Sequence, residues 1–599
     1  MKNFSTLTDF FNDTTKSITV GDYIATYGYK TVGDGGDGIY RVSSVDENAV
    51  FDADAEISIT NNAFACNGVV LELLFDNGEV SVEQFGAVSD KNALETDTVS
   101  YLSSVNKNAI QAAINSGARK VNFSPAKYYV GEDIHIAYPV DIVGNGAELD
   151  LETDSTSTQL FRVEYASDSP KTAAIISDMT IMGTRVVTEE TITDSQTNSE
   201  QTIEEITFYN YCINLVNASD VIISNINFNY GAYAVYAQII DAENHSLSNI
   251  CIKDCNVYSS KYAFSLSKVS GLKIQNCKAD LDNVGLIGLG IRGNCSNVLV
   301  EDVSLLNVGY GVHIATNTWS SKATDRYVFK NLLVDGVEKG LFFARTNVPV
   351  LLSNAVIVNV TDRAVHTVKA ENISISNSSV VLAAPEACET NAVPLYIGGA
   401  TKIKFSHVQF EFPFGFQYDY CNYSVSGEVN VSLVDCTLQK TDNALDNPKG
   451  FGGLGCVFGN NHAFIQTFDA CEFRSYIQNY SADNMPFVLS APNNSESKLI
   501  IKNSRFVNEN TCTVPYFLLD DDAKFDNIVV YNCFFENYNG TENVGSAFPI
   551  FGRLVNGSIE TSNEENGAKI HNIFAKCNMR SSAPVRNTGT TINEMVEYT

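Results

Sequence analysis

One short phrase recurs about a dozen times from Val221 onward: apolar, any, apolar, any, Asn or Asp, apolar, any, apolar. It reads Val221-Ile-Ile-Ser-Asn225-Ile-Asn-Phe228, then Ile250-Cys-Ile-Lys-Asp254-Cys-Asn-Val257, and again through Asn276, Asp302, Asn331 and Asn377. Further copies follow at Asp435, Asn503 and Asn532, with degenerate ones at His407, Ala470 and Lys576. Alternation with period two on both sides of the Asn or Asp marks two strands joined by a bend. Asn and Asp suit the bend because they tolerate a left-handed backbone and hydrogen-bond their own main chain. Many successive bends lie roughly 22 to 35 residues apart, a period that belongs to solenoids and excludes a single closed globule. The expected fold is all-β, a parallel β-helix with an Asn/Asp ladder along one corner.

The cysteines obey the same register. Of fourteen, six (Cys255, Cys277, Cys436, Cys471, Cys533 and Cys577) hold the position just after the bend, where other coils carry Val303, Leu332 and Val408. A thiol there behaves as a small buried hydrophobe. Disulfide frameworks belong to short secreted domains and metal sites to CxxC spacing, which is absent, so the cysteines are expected to be reduced and assembled in a reducing cytoplasm.

The chain has 599 residues, 44% hydrophobic and 18% charged, enough for a long core, with no apolar run of membrane-spanning length. The N-terminus is too polar for a secretory signal. A net charge of −31 argues against nucleic acid, whose phosphates would be repelled. That acidity also serves simply to keep a long β-rich protein in solution.

Four regions are expected: a head module at 1–80, an entry segment at 81–140, the β-helix at 141–580 and a tail at 581–599. The head carries Gly33-Asp-Gly-Gly-Asp-Gly38, turn punctuation with no lysine and no following helix, hence no phosphate loop. The entry segment carries a helix over 106–116, its apolar face Ala109, Ile110, Ala113 and Ile114 and its stop Gly117. Such a helix can cover the open end of the first coil. The polar stretch Thr184 to Gln201 reads as an inserted loop.

Three segments, Ser81-Val-Glu-Gln-Phe-Gly-Ala-Val-Ser-Asp90, Asn108-Ala-Ile-Gln-Ala-Ala-Ile-Asn115 and Val121-Asn-Phe-Ser-Pro-Ala-Lys-Tyr-Tyr-Val130, resemble the opening of the pectate-lyase-like β-helix superfamily. The resemblance is to its bacteriophage tailspike and pre-neck appendage branch. Val20-Gly-Asp-Tyr23 through Gly38-Ile-Tyr-Arg-Val42 is similar to the head module of those proteins. Asn106 and Asn108 stand where that branch commonly has aspartate, and Ala126-Lys127 replaces its glycine region. The resemblance implies a right-handed, single-stranded β-helix in a homotrimeric virion spike. Its N-terminal part would dock on tail or neck proteins, and its β-helix would meet host-surface glycans. Relatives either cleave those glycans or only bind them, and fold alone does not decide which. Calcium serves some relatives, but no compact oxygen-ligand loop here demands it, and Asp520-Asp521-Asp522 reads as a solvent-facing run. No cofactor is expected.

Aligning the second half of each coil on an inward apolar residue (Phe264, Leu286, Val312, Leu341, Val365, Val393) predicts an outward column Ser265, Ile287, His313, Phe342, His366, Pro394. Two residues before the reference run Tyr262, Val284, Tyr310, Lys339, Arg363 and Asn391, with Glu338 and Asp362 preceding the two cations. Four residues after it lie Lys268, Gly290, Thr316, Arg345 and Lys369, cations at an inward parity that require the chain to bend there. Two of the seven histidines and several of the scarce cations thus share about three coils, a candidate seat for an anionic sugar.

Glu338 and Asp362 one coil apart are spaced about as a retaining glycosidase requires, with Arg345 and Lys369 holding a substrate anion. For elimination, His313 or His366 would take the proton and Arg363 or Arg345 would stabilise the charge. Trp319, in the loop beside this patch, is a candidate sugar platform. Exposed charges on a solvated face, or a site shared between subunits, are the competing readings.

Overall fold

The computed structural model describes residues 1–52, 55–75, 77–151, 158–166, 172–193, 200–237, 246–315, 326–384, 387, 392–398, 401–412, 429–440, 456–457, 464–475, 488–490, 498–508, 517–519, 524–537, 551–555, 558–560, 569–580 and 597–598. The chain forms two compact units, Met1–Gly285 and Leu286–Thr599.

The first unit opens with a six-stranded sheet between Lys2 and Leu73. One short helix, α1 (Leu7–Asn12), is capped by Thr6, whose hydroxyl accepts from the Asp9 amide. Leu7, Phe10 and Phe11 pack with Ile24, Tyr40, Phe64 and Leu71 into a core from which water is excluded. The next strand, Glu79–Ser81, pairs instead with Lys120–Asn122 and begins the coils.

The helix expected at 106–116 is longer: α2 runs Val99–Asn115, capped by the Thr98 hydroxyl on the Tyr101 amide. Ala109, Ile110, Ala113 and Ile114 are buried as expected, joined by Leu102, and Gly117 stops the helix in the left-handed region at φ 83°. Its first turns, Val-Ser-Tyr-Leu-Ser-Ser-Val, are poor helix formers, and packing rather than propensity holds them. Asn106 is fully buried. Its Oδ1 accepts from the Val88 amide at 2.7 Å and its Nδ2 donates to the Val88 and Tyr129 carbonyls. It thereby pins the entry segment to the helix.

The coils of this unit stack in parallel register. Ile142, Ile176, Ile223, Ile252 and Ile274 lie above one another, all buried, each removing about 1.5–3 kcal/mol of apolar surface from water. The stretch from Thr184 is an antiparallel hairpin rather than a loop: Thr184 pairs with Tyr209 and Thr193 with Glu200. Its β-branched content (Val186, Val187, Thr188, Thr191, Ile192) favours strand.

The second unit repeats the scheme. Val300, Phe329, Leu352, Ile375, Phe405, Leu433, Phe468 and Ile501 form one continuous inward row, and each is buried. The corner residues are left-handed: Asp302 (φ 56°), Asn331 (52°), Asn354 (56°), Asn377 (49°), Asn503 (53°) and Asn532 (52°). Their side chains form the expected ladder. Asn331 Nδ2 donates to Asp302 Oδ1 at 2.8 Å, Asn354 to Asn331 at 3.3 Å, Asn503 to Asp469 at 2.9 Å and Asn532 to Asn503 at 2.9 Å. In the first unit Asn225 donates to Asp178 and Asn276 to Asp254, both at 2.7 Å.

Cys255, Cys277, Cys436, Cys471 and Cys533 are buried free thiols. Among the described residues no helix is long and apolar enough to cross a membrane. The Asp520-Asp521-Asp522 run and residues 581–596 of the tail lie outside the described residues.

Candidate functional site

The outward face of the second unit is shaped by a row of small residues. Gly311, Gly340 and Ala364 precede the inward row Val312, Leu341, Val365. A Cβ on Gly311 would lie 2.5 Å from Val334 Cγ1, and one on Gly340 would lie 2.5 Å from the Ala364 carbonyl oxygen. The backbone is therefore pressed against its neighbours, two successive residues face inward, and the residues on either side face out together, three apart. That is why Tyr310 meets His313 (ring centroids 5.5 Å) and why Lys339 Nζ lies 5.1 Å from the Tyr310 ring centre.

Two outward rows result. Tyr310, Lys339 and Arg363 stand in register, as do His313, Phe342, His366 and Tyr396. The expected rows ended in Asn391 and Pro394. The structure corrects both: Arg363 pairs with Val393 and His366 with Tyr396, because the inward residue of that coil is Leu395, not Val393. Asn391 lies outside the described residues.

The rings of the second row pack as a slide: His313–Phe342 at 4.9 Å, Phe342–His366 at 4.4 Å, His366–Tyr396 at 4.5 Å. The Arg363 guanidinium covers the Tyr396 ring at 3.9 Å, a stacked cation–π contact. His366 is 7% exposed, and neither of its ring nitrogens has a hydrogen-bond partner. Burial, with Arg363, Lys339 and His313 nearby, pushes its pKa down to about 3. Burial and then Arg292 push His313 down to about 4, and its Nδ1 is also unpartnered. Both imidazoles are neutral at physiological pH.

The Asp362 amide donates to the Glu338 carbonyl at 3.0 Å, so the two carboxylate residues occupy neighbouring coils. Lys339 Nζ contacts Glu338 Oε1 and lies 3.1 Å from Asp362 Oδ2, while Arg363 Nε is 3.6 Å from Asp362 Oδ1. The Asp362 side chain is 5% exposed and that of Glu338 41%. One ammonium thus bridges both carboxylates, and a buried charge is matched by two cations.

Arg345 and Lys369 sit beyond the histidine row at left-handed corners, φ 51° and 54°, as does Lys268 in the first unit at 57°. The bend required by cations at an inward parity is there. Thr316 and Trp319 lie outside the described residues.

Two contributors escaped the sequence reading. Tyr396 was hidden by the two-residue register slip, and Arg292 is the cation acting on His313; Phe342, expected between the two histidines, is the spacer that separates them. Arg292 lies two positions past Gly290, where the column was cut. Among the described residues no three His, Cys, Asp or Glu side chains converge as metal ligands would.

No family model and no curated protein matches the chain. Among solved structures it is similar to tailspike protein 3 of bacteriophage CBA120, at 12% identity and TM-score 0.36, over 83% of this chain and 66% of that one. It is also similar to WceF of Pantoea stewartii, a glycan biofilm modifying enzyme with a tailspike-like parallel β-helix, at 12% identity and TM-score 0.32, over 68% and 47%. An exopolygalacturonase from Thermotoga maritima aligns at 10% identity and TM-score 0.34, over 61% and 88%. The chain spans less than two thirds of the first two of these proteins. At such scores the parallel β-helix rests on the strand registers above. Phage tailspikes and other β-helix enzymes are the solved structures it resembles.

Proposed function

We propose that the chain is a phage tailspike or virion appendage protein that binds an acidic host-surface polysaccharide and cleaves it on the outward face of the second unit. The observation that carries this reading is a pair of neutral imidazoles with unpartnered nitrogens beside Lys339 and Arg363. Buried polar atoms without partners are rare in a folded protein. Here they line an outward row flanked by cations on a strongly acidic chain. The resemblance of residues 81–130 to the tailspike branch supports the virion setting. It implies a homotrimer joined to tail or neck proteins through its N-terminal region.

The chemistry that these groups suit is elimination. Arg363 and Lys339 would hold a uronate carboxylate, with Tyr310 beside them. That negative charge next to His366 or His313 raises the imidazole pKa from its low resting value toward the working pH. The imidazole takes the proton α to the carboxylate, the electron pair forms the ring double bond, and the glycosidic C–O bond breaks. The leaving oxygen recovers a proton from the imidazolium. Arg345 and Lys369, at the corners beyond, would meet the next anionic group of the chain.

Hydrolysis by Glu338 and Asp362 is the second reading. It is favoured by their position on adjacent coils and opposed by Lys339, which fills the space between them. Trp319 remains a candidate platform for a sugar ring under either chemistry.

Purified protein incubated with isolated bacterial surface polysaccharides, followed for chain shortening and for absorbance of unsaturated uronates, tests this. Shortening with new absorbance, lost in His366→Ala and Arg363→Ala, is expected. Shortening without absorbance that is lost in Glu338→Gln would assign hydrolysis. Binding with no shortening would leave an adhesin.

A further inference from the structure

We infer that the first unit carries a separate subsite for uncharged sugar residues, built from Tyr211, Tyr233, Tyr236 and Tyr262 with Asn214. It extends the glycan reading to a second place on the chain, and it shares no residue with the cationic face.

Tyr211, Tyr233 and Tyr262 stand in register on three successive coils. Their rings are stacked: 4.8 Å and 3° between the first pair, 4.5 Å and 6° between the second. Tyr236, three residues along and outward, leans on the ladder at 5.1 Å from Tyr211 and 4.6 Å from Tyr233, tilted 54° and 51°. The row between is small again, Cys212, Ala234 and Ala263, all fully buried, so outward residues three apart converge as they do in the second unit. All four tyrosines are partly exposed. A step of four aromatic rings on an outer face is the kind of patch that marks an interaction surface.

A tyrosine ladder alone is an ordinary cross-strand device. Asn214 makes this one a site. It pairs in register with Tyr236 and is 7% exposed. Its Nδ2 donates to Gln159 Oε1 at 2.7 Å, which leaves its buried Oδ1 with no hydrogen-bond partner. A buried acceptor beside phenol rings asks for a hydroxyl donor attached to an apolar ring face, and a pyranose supplies both. The cation in the Asn214 row, Arg162, is engaged by Glu164 at 2.7 Å. No free positive charge is thus offered to an anion from that row, and an uncharged sugar is the fitting class. Successive coils are about 4.8 Å apart, so three coils present a run of equivalent positions to consecutive sugars of one strand.

The test is binding of the full chain to immobilised uncharged oligosaccharides of glucose, galactose, mannose and N-acetylglucosamine. At least one is expected to bind. Its dissociation constant should weaken about tenfold or more in Tyr236→Ala and in Asn214→Ala, a loss of about 1.4 kcal/mol. Tyr236→Phe, which keeps the ring and guards against misfolding, should retain binding. No binding to any probe, or equal binding in Tyr236→Ala and Asn214→Ala, overturns the subsite. Cleavage of acidic polysaccharide is read independently, so failure here is distinct from failure of the proposed function.

Discussion

His366 lies between Phe342 and Tyr396, where a charged imidazole would exchange water for two rings and two cations. In the unfolded chain the same side chain takes a proton near pH ~6.5. In the fold it does so only near about 3. Between those values the unfolded chain binds the extra proton. Stability is therefore full above roughly pH 6.5 and is lost as the pH falls toward 3. His313, pushed down to about 4, acts in the same direction. Denaturant midpoints measured from pH ~7 to ~4 are expected to fall by the equivalent of about 3 kcal/mol from each imidazole. The double variant His313→Phe/His366→Phe should show a shallower fall. An unchanged slope would mean that other groups carry the acid sensitivity. At this scale the corners were legible, because a left-handed backbone filters side chains strongly: Asn225, Asp254, Asn331 and even His407 and Ala470 were placed by pattern and all have positive φ. Nothing in the pattern announced that His366 would lack partners, since partnership depends on three other coils.

At the scale of strands and coils, the Lys339 ammonium is held by carboxylates from two neighbouring turns. Lys339→Met is expected to destabilise by about 3–5 kcal/mol, because Asp362 is then a buried charge short of a partner. Adding Asp362→Asn should recover most of that loss, measured by chemical denaturation. If the single and double variants are equally unstable, packing of the lysine stem and not its charge is what matters. The elements also show where pattern reading stops. Period-two parity assigned alternate residues to opposite faces, and the Gly311–Gly340–Ala364 row broke that parity by turning two neighbours inward. The register slip at Leu395 came where the sequence between Leu382 and Val393 offers no repeat to count through. The hairpin from Thr184 was hidden by its polar composition, although its alternation of Val, Thr and Ile was in plain view.

At the scale of the molecule, 70 acidic residues against 39 basic ones leave a net charge of −31. Under the proposed function, an anionic polysaccharide would have to cross that repulsion before Lys339 and Arg363 could hold it. Raising salt from ~10 mM to ~150 mM shortens the screening length from about 30 Å to about 8 Å. The association rate should therefore rise over this range, opposite to ordinary electrostatic attraction, in a surface-immobilised binding assay. A monotonic fall would mean that the local cations dominate at long range. The reduced thiols carry a different implication. Cys255 and Cys277 lie in the first unit, Cys436, Cys471 and Cys533 in the second, each sealed inside its own coil. A solenoid holds each turn chiefly through its neighbours, so no reagent can reach a given sulfur until that turn lifts. The chain thus contains its own set of clocks, and the order in which an alkylating pulse marks them would give the sequence in which the turns come apart.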